Sequence, residues 1–194
     1  MLNRSTLTLE AARWCTRMLP KAILAALVVV GCSGGGNTNP SAGNASVSGT
    51  VWGETLVAQD AVAEEYLGGS TSPTATVIIT NYPGACATIQ ASHLRPSSLA
   101  LDLELQVDHA AVSERTYALA AGELKATFRR SDATCKLTGV STEAAGSGGS
   151  VNITSTTDGL TGTFDVTFGT DRVTGSFHAP GCDPSTSSTI ACGP

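Results

Sequence analysis

Two groups of carboxylates come closest to reactive chemistry in this chain: Asp60, Glu64 and Glu65, then Asp102, Glu104 and Asp108. Over Leu99–Val107 the odd positions are apolar and the even ones mostly polar. Asp102 and Glu104 therefore share the wet face of one strand, where same-face neighbours stand about 7 Å apart. That spacing suits a carboxylate pair for hydrolysis, or two oxygen ligands of calcium. Calcium needs several further oxygens, and no Asp-x-Asp-x-Asp-Gly loop supplies them. The histidines, His93, His109 and His178, stand apart from any nucleophile motif. Gly-x-Ser-x-Gly, His-Glu-x-x-His and glycine-rich phosphate loops are missing. Trp52, with Tyr66, Tyr82 and Tyr117, offers an aromatic surface for a sugar or peptide, although Tyr117 alternates with Leu119 as a core residue does. The expectation is a non-enzymatic binding or structural domain with no catalytic residue, metal or cofactor. Trp52, Asp102 and Glu104 are its candidate ligand contacts. A carboxylate-dependent hydrolase and a carbohydrate- or peptide-binding module are the alternatives.

The charge distribution gives an address. The chain has 194 residues and formal net charge −5. Its first 31 residues hold Arg4, Arg13, Arg17 and Lys21 against Glu10, so the remaining 163 residues carry −8. An acidic body argues against nucleic acid as a partner. Ala22–Val30 is an unbroken apolar run preceded by positive charge, which suits the h-region of a signal peptide (about 7–15 residues) rather than a membrane span of about 20. Met1 and Met18 both precede it as possible starts.

The run ends in Val29-Val30-Gly31-Cys32. This junction resembles the bacterial lipobox, and the resemblance covers about the first 35 residues. It implies a lipoprotein: residues 1–31 removed as a signal peptide, Cys32 carrying acyl chains such as palmitate, and the membrane as a partner. Several acyl chains on one residue give durable attachment, because each buried methylene contributes about 0.8 kcal/mol. Ser33 rather than Asp follows the cysteine, a pattern similar to Gram-negative lipoproteins sent to the outer membrane. Residues 32–45 are rich in Gly, Ser and Asn and read as a flexible tether.

The six cysteines divide accordingly. Cys15 lies in the leader and Cys32 takes the lipid, leaving Cys86, Cys135, Cys182 and Cys192 as an even set in an exported chain. Two disulfides are expected, with three connectivities possible. No Cys-x-x-Cys spacing points to zinc. The short Cys182–Cys192 loop favours that pair with Cys86–Cys135; joining Cys182 to Cys86 or Cys135 would instead pin the end of the chain.

The elements that must position these groups are strands. Leu99–Val107, Gly162–Phe168 and Arg172–His178 alternate with period two, the last two joined by Gly169-Thr170-Asp171 as a hairpin. Further strands are read at Val47–Trp52, Thr55–Gln59, Thr76–Asn81, Thr116–Leu119, Leu124–Arg129 and Gly149–Ser155, with Ala61–Leu67 open between helix and strand. Val77-Ile78-Ile79 is apolar on both faces and implies a central strand. The fold class is all-β: an antiparallel sandwich or compact barrel of about 8–9 strands over residues 46–183, followed by a C-terminal tail, 184–194. Thr161-Gly162-Thr163-Phe164 and Thr174-Gly175-Ser176-Phe177 echo each other across the hairpin, and the chain then runs Ala179-Pro180-Gly181-Cys182. These Gly-x-Phe hairpins resemble those of uncharacterised Gram-negative envelope lipoproteins, a likeness that brings no activity or site residues with it.

Overall fold

The computed structural model describes residues 42–66, 74–107, 111–136, 142–183 and 191–193, with the backbone alone described at Glu65, Tyr66 and Thr74. The alternating segments become β1 (Asn44–Gly49), β2 (Asp60–Tyr66), β3 (Thr74–Thr80), β5 (Leu99–Gln106), β6 (Thr116–Ala118), β7 (Leu124–Arg130), β9 (Gly148–Ser155), β10 (Leu160–Phe168) and β11 (Asp171–Ala179). Short strands β4 (His93–Leu94), β8 (Glu143–Ala145) and β12 (Ala191–Cys192), and a helix α1 (Ala85–Gln90), complete the set. One five-stranded sheet runs β1-β11-β10-β9-β6 and the other β2-β3-β5-β7-β8, while β12 lies parallel to β4. All pairings within the two large sheets are antiparallel. The chain is a β-sandwich and not a closed barrel.

Period-two patterning explains which faces meet. Leu101, Leu103 and Leu105 on β5 and Phe164, Val166 and Phe168 on β10 point inward and are buried in one continuous core. Tyr117 joins them at 0 % exposure, as its alternation with Leu119 implies. The core is mainly aliphatic, with five aromatic rings: Tyr117, Phe128, Phe164, Phe168 and Phe177. The paired echoes lie in reciprocal register, Gly162 opposite Phe177 and Phe164 opposite Gly175. Each missing side chain makes room for the ring across from it: a Cβ on Gly175 would stand 2.6 Å from Phe164 and 1.9 Å from the Ser46 carbonyl oxygen. Phe164 and Phe177 then stack with centroids 6.4 Å apart.

Four readings are corrected. Ala61–Leu67, left open between helix and strand, is strand through Tyr66, because Ala61 and Ala63 pack into the inter-sheet core. Thr55–Gln59 is not a strand; it carries the chain from the first sheet to the second. Asn44 and Ala45, read as tether, already pair with β11. Residues 184–194, read as a tail, contribute β12, whose Ala191 and Cys192 pair with His93 and Leu94.

The end of β11 links the two sheets. Pro180 and Cys182 exchange backbone hydrogen bonds with Ala63 of the edge strand β2, which brings Cys182 to the outer side of the second sheet. There Cys182 bonds Cys86 of α1, and Cys135 bonds Cys192. The short-loop arrangement, Cys182 with Cys192 and Cys86 with Cys135, is therefore wrong. Strand pairing brings Cys182 to α1 across a sequence separation of 96, and β12–β4 pairing brings Cys192 toward Cys135. The Cys86–Cys182 bridge, Ala85, Val62 and Ile78 form a second small apolar cluster, which clamps α1 onto the outer face of the second sheet.

Candidate functional site

The outer face of the second sheet carries the groups that the sequence singles out. Strand β5 presents Asp102 and Glu104 outward, and the neighbouring β7 presents Lys125 and Arg129 on the same face. Glu104 stands directly opposite Lys125 in the register and pairs with it at 3.2 Å. The Gln106 amide also donates to Glu104 at 2.5 Å. Asp102 reaches Arg129 diagonally, Nη2 to Oδ2, at 2.5 Å. The two carboxylates thus lie on one face as expected, but each is neutralised by a cross-strand cation. Asp108 and His109 lie outside the described residues, as do Cys32 and the side chains of Glu65 and Tyr66.

The Asp102–Arg129 pair is incompletely satisfied. Asp102 keeps 15 % side-chain exposure and Arg129 31 %, yet Oδ1 of Asp102 and Nε of Arg129 are buried with no hydrogen-bond partner among the described residues. Burial pushes the Asp102 carboxyl above its usual range, although the Arg129 guanidinium pulls the other way. On the adjacent β2, burial also raises Glu64, with Asp102 adding to the rise and Arg129 opposing it. A carboxyl raised in the folded state stabilises the fold below its unfolded pKa of about 4.3 and loses that contribution as pH rises through the folded value. Glu64→Gln should therefore stabilise the protein at pH 7, by less than about 1 kcal/mol because the group is part-exposed. The gain should vanish near pH 3.5. Urea midpoints at the two pH values check this, and an unchanged or lower midpoint at pH 7 would contradict it.

A groove opens beside this pair, between α1, β4 and the sheet. Ile78 and Ala100 form its floor with Arg129, while Ile89 and Leu94 supply an apolar wall. Its volume is about 80 Å³. Tyr82, His93 and Arg95 stand at its polar side, with the hydroxyls of Ser98 and Ser131. The Arg95 guanidinium carbon lies 5.2 Å from the Tyr82 ring centroid, a cation–π arrangement. The Arg95 carbonyl accepts from Ser98 Oγ at 2.9 Å and from Ser131 Oγ at 2.5 Å, which fixes the turn that presents the side chain. Burial raises the Tyr82 hydroxyl above its ordinary value, with Arg129 and Arg95 opposing. This phenol stays protonated and can donate at neutral pH.

The aromatics do not assemble into one platform. Trp52 sits in the tight turn after β1 at 39 % exposure, edge-on to Phe128 at 6.3 Å. Tyr82 packs on the outer cluster, on the other side of the second sheet. Tyr117 is core, its hydroxyl bonded to Ser113 N–H at 3.0 Å. His178 bonds Thr161 Oγ1 at 2.9 Å across β10 and β11, and His93 lies at the groove.

Sequence reasoning missed Arg95, Ser98, Ser131 and α1. A six-residue helix has too few turns to show a period. Asp60 also plays a part its sequence context does not show. It is buried, and its carboxylate accepts backbone N–H bonds from Gly43 at 3.0 Å, Ala61 at 2.9 Å and Ala85 at 2.9 Å. No protein-family model, curated protein or solved structure matches the chain. The described residues contain no cluster of three or more metal-ligating side chains.

Proposed function

We propose that the chain is a lipid-anchored envelope lipoprotein of the Gram-negative outer membrane, whose disulfide-stapled sandwich is a non-enzymatic binding domain. The observation that carries the anchor is the junction Val29-Val30-Gly31-Cys32, followed by a Gly/Ser-rich tether. Two disulfides among the body cysteines support an oxidising compartment. Binding is favoured over hydrolysis because Asp102 and Glu104 are each engaged by a cation, whereas the groove beside them offers an apolar wall and a convergent set of donors.

Expression of the full chain in a Gram-negative host with labelled palmitate tests the anchor. The expected result is a labelled, membrane-pelleting protein, and a Cys32→Ala variant that is unlabelled and leaves the membrane fraction. Full membrane retention of the Cys32→Ala variant would overturn the lipoprotein reading.

A further inference from the structure

Building on the binding reading, we infer that the groove is a receptor site for a small monocarboxylate. The carboxylate is held by the Arg95 guanidinium and its short apolar stem lies against Ile78, Ile89 and Leu94. In this acidic chain Arg115, Lys125, Arg129, Arg130 and Arg172 each have a carboxylate partner. Arg95 has none among the described residues. Among the described residues its side chain makes one hydrogen bond, a long one from Nε to Thr88 Oγ1 at 3.5 Å, which leaves the donors of both terminal nitrogens to spare there. The planar fork of a guanidinium matches two carboxylate oxygens, and stacking on Tyr82 sets the plane of that fork. The paired hydroxyls of Ser98 and Ser131 hold the Arg95 backbone in place before any ligand arrives. Little ordering cost is then left to binding.

Size and charge narrow the ligand. A cavity of about 80 Å³ has room for roughly half a dozen water-sized groups, which is a carboxylate on a stem of a few carbons. Asp102 already neutralises Arg129 at the floor, so among the described residues Arg95 is the one arginine of the groove left without a carboxylate partner. A monoanion therefore fits better than a dicarboxylate or phosphate.

The test uses the full chain in a neutral detergent at fixed ionic strength, titrated with isobutyrate and its neutral isostere isobutyramide by calorimetry and saturation-transfer NMR. Isobutyrate should bind with Kd on the order of millimolar, as its six heavy atoms allow. Isobutyramide should bind at least ~10-fold more weakly, having lost the charge-assisted bonds. Arg95→Gln should abolish the difference, Arg95→Lys should keep part of it, and Ile89→Trp, which fills the apolar wall, should abolish binding of both. Peptide maps showing both native disulfides certify each variant as folded. Equal binding of acid and amide, unchanged binding in Arg95→Gln, a preference for succinate, or no saturable binding would each overturn the proposal. So would binding of an acetylated dipeptide acid but not of isobutyrate, since that ligand is a peptide terminus. The anchor is scored separately by the Cys32→Ala fractionation. A silent groove in a membrane-held protein therefore overturns the ligand alone.

Discussion

Replacing Asp60 by alanine should destabilise the folded protein by about 3–5 kcal/mol, because a buried N–H left without a partner costs about 1–3 kcal/mol and this change orphans up to three. The carboxylate is 3 % exposed and serves three segments at once: Oδ1 accepts from Gly43 ahead of β1 and from Ala61 of β2, and Oδ2 accepts from Ala85, the first residue of α1. Loss of the side chain therefore loosens the first strand and the helix that walls the groove together. Asp60→Asn should fall between the two, since its amide nitrogen cannot accept and at least one of the three bonds is lost. For a domain of this size a loss of about 3–5 kcal/mol lowers Tm by roughly 10 °C. Thermal and urea unfolding under oxidising conditions measure it. A cost below about 1 kcal/mol for Asp60→Ala would show that water takes over the three N–H groups.

The second large effect is on the Cys86–Cys182 bridge. It closes a sequence separation of 96, for which the chain-entropy model gives roughly 4–5 kcal/mol. Both cysteines are 5 % exposed within the cluster under α1, so the bridge also anchors that helix. Cys86→Ser with Cys182→Ser should cost about that amount, a large share of the ~5–15 kcal/mol of a typical domain. It should also erase the groove wall. The Cys135–Cys192 bridge behaves differently. Cys192 is exposed, and the bridge ties down a strand of only two residues. Mild reductant should open it first, without unfolding the sandwich, while Cys86–Cys182 resists until global unfolding. Alkylation of partly reduced protein followed by mass mapping reports the order. Early labelling of Cys86 would contradict the placement of that bridge in the cluster.

Legibility differs sharply between the sheets and the site. The alternation Leu99–Leu101–Leu103–Leu105 reads as a strand because inward and outward faces are a property of neighbouring positions in one segment. The same rule gives the parity of Asp102 and Glu104, and the echo of Gly162-x-Phe164 in Gly175-x-Phe177 points to the hairpin. Ala61–Leu67 resists because Ala61, Val62 and Ala63 are apolar on both faces. They are buried on both faces, Ala61 and Ala63 in the core and Val62 beneath α1.

By itself the sequence determined an all-β domain, its inward faces and the four body cysteines as bridge partners, since each of these follows from composition or from residues one and two apart. Only the tertiary structure decided which cysteines meet and that Asp60 is a structural hub. It alone neutralised Asp102 and Glu104 through β7, and it alone placed Arg95 at a groove. Each of these depends on contacts between residues far apart in the chain, such as Gly43 with Asp60, Ala63 with Gly181 and His93 with Ala191, set by how two sheets and the returning end of β11 bury their apolar faces together. No local pattern encodes that choice.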